Sequence, residues 1–465
     1  MPGSLFSEFG PSSKDAWEKL AQKELKGRLH ELPPWAIADE LSFEPYVTSQ
    51  QTELEKMAAM QRCQKKTPGW INMPEVTFTD PRKTNANIKN ALANGADAIV
   101  LNLRDTELNR CEFPKLLHSL RLSDTPVFFQ TGQNSGQLFS EISRHAGYYL
   151  KGGVAFDPVA EWMRTAKPFD ESINAISELL HHTKNMREFR PYMVQTHLYH
   201  DQGASPVQEL AYGIAATVTY MDLLTNNGVA PLLAFNRILF SVSVGTQYLT
   251  EIAKLRAFRY LLRNISRAYG LPDALCAPFL RARTSSFYHC GSSPHTNMIR
   301  ACSEAMSAVI GGCNALTVQA FDQHRSVHTD FSERIARNVS SVLSYESALG
   351  VVADPAAGSY MLEDMSCKLA DAAWKLFLDM EEKGGLIKCF ENGLIQIELK
   401  KSLEQKVNAL NHDQVMVGVN RFTEPGETAQ NNTVHLDTNT TQPFTILNDR
   451  SSLSDYFHQH SLTKK

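Results

Sequence analysis

The run LLAFNRILFSVSV (232–244) belongs to a set of short apolar segments rich in β-branched and aromatic residues, the composition of buried strands. AIVLNL (98–103), PVFFQT (126–131), YMVQTH (192–197) and NALTVQAF (314–321) repeat it, with amphipathic stretches at 87–94, 208–224 and 296–310 in between. Strands alternating with helices from about residue 75 to 321 predict a parallel α/β architecture, because parallel neighbours need a crossover between them. The span suits a (β/α)8 TIM barrel with insertions, and an open doubly wound sheet is the alternative. Neither G-x-G-x-x-G nor G-x-x-x-x-G-K-[ST] is present, which argues against a dinucleotide-binding or P-loop enzyme.

Working outward, residues 14–27 carry Trp17, Leu20 and Leu25 at near-helical spacing, with Gly27 as a stop. LPPWAIADELSFEPY (32–46), with Pro33 and Pro34 ahead of Trp35, Phe43 and Tyr46, reads as an extended segment lying on another surface. Residues 1–60 are therefore expected to form an arm for subunit contacts, 61–423 the barrel, and 424–465, rich in Thr, Asn and Ser, a polar linker or tail.

The chain has 465 residues, 43% hydrophobic and 21% charged, enough to bury a large core. Lys and Arg total 46 against 50 Asp and Glu, a formal charge of −4 with no long basic run, so nucleic acid is not an expected partner. The apolar stretches fall short of the roughly 20 residues a membrane span needs, and MPGSLFSEFG has no apolar signal core. A soluble, cytoplasmic chain without membrane partners is expected. The eight cysteines are scattered with no C-x-x-C pair, which fits reduced, packed thiols.

The most informative stretch is TDFSERIARNVSSVLSYESALGVVADPAAGSYMLE (329–363). It resembles the methylmalonyl-CoA mutase family, with its T-D-F-S-x-R-I-A-R-N block, a later E-S and D-P-x-x-G-S-Y. Further similarities follow in order: GGVAFDPVAEWMRT (152–165), QELAYGIA (208–215), EIAKLRA (251–257), RTSSF (283–287), NMIRACSEAMSAVIGG (297–312), EEKGGL (381–386) and VMVGVN (415–420). FSEFGPSSKDAWEKLAQKELKG (6–27) is similar to the arm of the family's small subunits. The resemblance implies a barrel through whose axis the pantetheine arm of coenzyme A threads. It also implies an isomerase complex of propionate metabolism, in which adenosylcobalamin, held at the strands' C-terminal mouth by a separate domain, supplies the radical chemistry.

Three departures bear on that expectation. The family's D-x-H-x-x-G, whose His ligates cobalt and whose Asp fixes the tautomer, occurs nowhere in these 465 residues. The chain also stops where the cobalamin domain would begin, so no cobalamin is expected on this chain alone. At TPGWINMPEV (67–76), Asn72, Met73 and Pro74 stand where the family's R-Q-Y trigger is expected. In THLYHDQGASPVQELAY (196–212), His200 follows Tyr199 as the family's general acid does, but the segment to Glu209 is two residues short. His200 is thus either a catalytic candidate or a structural remnant.

Arg256, Thr284, Ser285 and Gln319 are candidates for a lining that faces acyl-CoA, or else structural residues of a barrel that binds nothing. Bulky inward residues would close the channel. His197 and His200 form H-x-x-H and His181 adjoins His182, but without a third patterned ligand no metal is expected. Asp354, Gly358, Ser359 and Tyr360 read as a turn closing a barrel edge, and Arg334, Arg337 and Glu346 as an ion network holding helices on it. The expected function is the small, non-catalytic subunit of a heterodimeric mutase, beside a large catalytic subunit that carries the cobalamin. The alternatives are a catalytic barrel that recruits a separate cobalamin-binding chain, and a stand-alone acyl-CoA-binding protein.

Overall fold

The computed structural model describes residues 13–29, 35–37, 41–49, 52–132, 135–146, 149–323, 329–412, 414–423, 444, 447 and 452–463. The opening MPGSLFSEFG, the Pro33–Pro34 pair and residues 424–443 of the expected tail lie outside them.

β1 (Trp35–Ile37) and β2 (Leu41–Phe43) form an antiparallel hairpin, so the arm is more than one extended strand, and Phe43 is buried. The parallel strands follow: β3 (Ile71–Asn72), β4 (Glu75–Thr77), β5 (Ile99–Asn102), β6 (Val127–Gln130), β7 (Gly152–Ala155), β8 (Phe189–Arg190), β9 (Tyr192–Gln195), β10 (Ile238–Val244), β11 (Phe279–Thr284) and β12 (Ala315–Thr317). They make two five-stranded sheets, in the orders β3-β12-β11-β10-β9 and β4-β5-β6-β7-β8. The sheets are one ring. β3 and β4 continue a single strand interrupted at Pro74, and β8 and β9 another interrupted at Pro191. A proline has no N–H to give to a ladder, so each break falls where the chain loses a donor. Backbone bonds from Val100 N to Pro74 O (3.0 Å) and from Met193 N to Phe156 O (2.9 Å) carry the ring past both breaks. Eight strand positions therefore close as a (β/α)8 barrel, and the open-sheet alternative falls.

Helices follow the strands and cover the outside. Of LLAFNRILFSVSV, the first part is the short helix Pro231–Asn236 and only Ile238–Val244 is strand. In that strand Ile238, Phe240, Val242 and Val244 pack outward against helices, which leaves Leu239, Ser241 and Ser243 facing the axis. The T-D-F-S block is a helix start: Thr329 and Ser332 form a reciprocal capping box on Asp330–Tyr345. The two glycines of GGVAF have an equally local cause. A Cβ on Gly153 would lie 2.0 Å from Arg190 O, so only glycine lets β7 and β8 approach this closely.

The expected linker or tail carries a helix at its end. Leu453–Thr463 is a helix whose Leu453, Tyr456 and Phe457 fall at i, i+3 and i+4, an apolar stripe within a polar composition. Leu453 N donates to Phe287 O at 2.8 Å, and the stripe packs with Phe287, Val407, Leu410 and Met416. No described helix is long and apolar enough to cross a membrane.

Candidate functional site

His200 lies on the short helix His197–Asp201 after β9, and Ser285 directly follows β11, so barrel closure brings residues 85 apart to the same C-terminal mouth. His200 Nε2 is 2.8 Å from Ser285 Oγ, and Nδ1 is 3.4 Å from Glu209 Oε2. Glu209, on the covering helix Pro206–Asn226, also accepts from Thr196 Oγ1 at 2.8 Å and from Lys254 Nζ at 2.6 Å. Lys254 bridges onward to Glu251 at 2.6 Å and to the Ser243 carbonyl at 2.9 Å. Ser285 N donates to Glu304 at 3.0 Å, and Glu304 lies 3.4 Å from His289.

The connectivity Ser285–His200–Glu209 is that of a nucleophile, a base and an orienting carboxylate. Its burial argues for a structural tie. Ser285 is 0% and His200 5% exposed, and the rings of Phe287 and Tyr288 stand against the imidazole at 6.1 and 5.7 Å. Burial pushes the Glu209 carboxyl up, but Lys254 and His200 outweigh it and bring it to about 2. Burial lowers Lys254, and Glu209 and Glu251 reverse the sign, so its ammonium is held above its ordinary value. The pair is a charged clamp across the strand ends. Beside it, burial and then the guanidiniums of Arg283, Arg281 and Arg164 hold His197 well below the usual histidine range, so it stays neutral.

The other candidates separate. Thr284 is buried and its hydroxyl accepts from Gln319 N at 2.8 Å, which ties β11 to the chain beyond β12. Gln319 lines a cleft described below. Arg256 is a correction: it sits on the outer helix Tyr248–Ala268, fully buried, and pairs with Asp354 and, at 2.8 Å, with Glu363. A side chain on that face of a covering helix cannot reach the axis. The ion network expected of Arg334, Arg337 and Glu346 is this one instead. Arg337 donates to Asn94 O at 3.0 Å, while Arg334 and Glu346 are exposed. In the expected turn, Gly358 has φ +83° and Ser359 caps the helix Tyr360–Glu382.

The axis itself is filled. Met73, Val100, Phe128, Ala155, Met193, Leu239 and Ala315 form one buried cluster, with Ile71 and Phe279 packed on it. The Phe128 and Phe279 rings stack at 6.4 Å, and the Arg190 guanidinium covers Phe279 at 4.4 Å. These side chains occupy the lower axis, where a pantetheine arm would have to pass, and Thr284, Ser285 and Gln319 lie above that filled stretch. Met73 contributes to this plug, whereas Asn72 turns away and donates to Gly95 O at 2.8 Å.

Above the plug the inward residues become polar: Ser241 and Ser243 on β10, Arg281 and Arg283 on β11, Thr317 on β12. Sequence reasoning missed the two arginines. Their i, i+2 spacing in LRART was the available signal, since it puts both on one face of a strand. Burial brings Arg281 down to about 10, with Glu75 opposing. To the side, beyond Pro74, β4 no longer pairs with β12, and a cleft of about 440 Å³ opens among Glu75, Thr77, Asn87, Gln319, Gln323 and Arg337.

Among the described residues no group of three His, Cys, Asp or Glu side chains is placed to hold a metal ion. His197 and His200 are both buried and turned onto protein partners, 3.4 Å to Ser241 O and 2.8 Å to Ser285. Neither presents a free imidazole to a cobalt, so this pair does not meet the ligand role.

Comparison with known proteins agrees with the motifs. The family model for methylmalonyl-CoA mutase matches residues 116–451. The methylmalonyl-CoA mutase small subunit of Porphyromonas gingivalis is 28% identical over 437 residues, covering 90% of this chain and 71% of its own length. That of Streptomyces virginiae is 28% identical over 443 residues, covering 90% and 72%. The large subunit of P. gingivalis is 31% identical over 264 residues, but this match covers only 56% of this chain and 37% of that one. On the barrel, the ordered motifs and these matches, the chain belongs to the methylmalonyl-CoA mutase family.

Proposed function

We propose that this chain is the small, non-catalytic subunit of a cytoplasmic methylmalonyl-CoA mutase. In this reading residues 1–60 serve as a contact arm, 61–423 as the barrel and 424–465 as a linking segment. A large partner subunit carries adenosylcobalamin and the interconversion of methylmalonyl-CoA and succinyl-CoA. The observation that carries the reading is the filled axis: Met73, Phe128, Met193, Leu239 and Phe279 occupy the space that a threaded acyl-CoA would need. The likeness to two small subunits over 90% of this chain supports it. The sealed His200 supports it as well, because a general acid must come within hydrogen-bond reach of a substrate.

The test is co-expression with the large mutase chain of the same organism, followed by a mutase assay with added adenosylcobalamin. The expected result is a one-to-one complex whose turnover requires the large chain and is unchanged by His200→Gln here. Turnover by this chain with only a small cobalamin-binding protein, lost on the same substitution, would overturn it in favour of a split catalytic barrel.

A further inference from the structure

The lateral cleft lies between the helices that follow the first and the last barrel strand. Beyond Pro74, β4 pairs with β5 and no longer with β12, and about 440 Å³ opens between the helix Pro81–Ala93 on one side and Asp330–Tyr345 on the other. That is the size of a small-molecule pocket. Asn87, Asn90, Ala91 and Asn94 line one wall at i, i+3, i+4 and i+7, the spacing at which a covering helix ordinarily packs apolar side chains on its neighbour. Carboxamides hold that face instead. Asn94 Nδ2 donates to Asn90 Oδ1 at 2.8 Å. The Asn87 carboxamide makes no hydrogen bond among the described residues, so it keeps both a donor and an acceptor for a ligand.

The buried part of the lining is apolar, with Val76, Val318 and Ala336. One amide is set among them. Gln319 is fixed by its backbone N–H, which donates to Thr284 Oγ1 at 2.8 Å, and its Nε2 is buried without a partner. At the rim Phe331 stands T-shaped to Phe321 at 6.2 Å and is 53% exposed, which leaves ring surface open. An apolar slot, an idle buried donor, an unpaired carboxamide and an open aromatic ring together suit a nucleobase. Asn and Gln match the adjacent donor and acceptor of a purine edge, and an aromatic ring stacks on its face. The charges narrow the choice. Glu75, Asp330 and Glu333 line the cleft against Arg334 and Arg337, and Arg337 already gives its Nε to Asn94 O, so the net negative lining disfavours a phosphate. The geometry points to a binding site for an unphosphorylated purine nucleoside in the side of the barrel, independent of the filled axis and of the accessory-subunit reading.

Calorimetric titration of the full chain with adenosine and with guanosine, beside AMP and coenzyme A, tests it. The expected result is saturable binding of at least one nucleoside, weakened at least about tenfold by Asn87→Leu and at least about fivefold by Phe331→Ala. Neither side chain is buried, so both variants should keep the parent's melting temperature and report on the cleft rather than on folding. No saturable binding of either nucleoside up to about 1 mM overturns the proposal. So does an affinity left unchanged by both substitutions, or tighter binding of AMP or coenzyme A than of the nucleosides.

Discussion

His197 and Lys254 occupy the same mouth and respond to pH in opposite senses. His197 is depressed when folded, so the unfolded chain binds the proton first. Its contribution is present above the unfolded value of about 6.5 and is lost as pH falls below it. Unfolding free energy measured in urea from pH 7 to 5 should therefore decline, by at most about 1.4 kcal/mol per pH unit from this group, and His197→Gln should flatten that slope. Lys254 is raised, so its share persists through neutral pH and fades only above the ordinary lysine range. Glu209, depressed to about 2, keeps its share down to roughly the ordinary carboxylate value of about 4.3 and loses it on approach to 2. Removing one partner is more severe than titrating it: Lys254→Met leaves Glu209 buried beside an apolar chain. It should cost about 3–5 kcal/mol by denaturant unfolding at pH 7.

Among the elements, the helix Asp330–Tyr345 is the clearest case of local sequence dictating local structure. Thr329 and Ser332 cap it reciprocally. Thr329→Ala should cost about 1 kcal/mol in chemical unfolding, and Thr329→Ser close to nothing. T-D-F-S was read above only as a family motif, yet a cap is set by four consecutive residues and is open to local reading. The strands were legible for a similar reason, their composition and length. What could not be read was which strand residues meet across the ring: Ser285 and His200 touch only because β9, β10 and β11 align in one register. Arg256 was misread for a different reason. The motif EIAKLRA lies on a covering helix, where Lys254 turns to the strand ends and Arg256 turns away to Asp354 and Glu363. The helix Leu453–Thr463 was hidden by composition, because three apolar residues in a polar segment matter only through their spacing.

For the molecule as a whole, the plug decides what the barrel can hold and how firmly it stands. Leu239→Ala should lower stability by about 2–5 kcal/mol, read from urea unfolding, since Leu239 is 0% exposed at the centre of the cluster. Methylmalonyl-CoA at about 1 mM should leave the melting temperature of the isolated chain within about 1 °C, because a ligand that does not engage the folded form cannot stabilise it. A barrel built around a threaded molecule is a sleeve, and its rigidity rises and falls with the supply of what runs through it. Here the filling is made of the chain's own side chains, installed during folding at fixed stoichiometry. The shape of this barrel is thus uncoupled from metabolite levels, the property that a standing frame needs if a neighbour is to open and close against it.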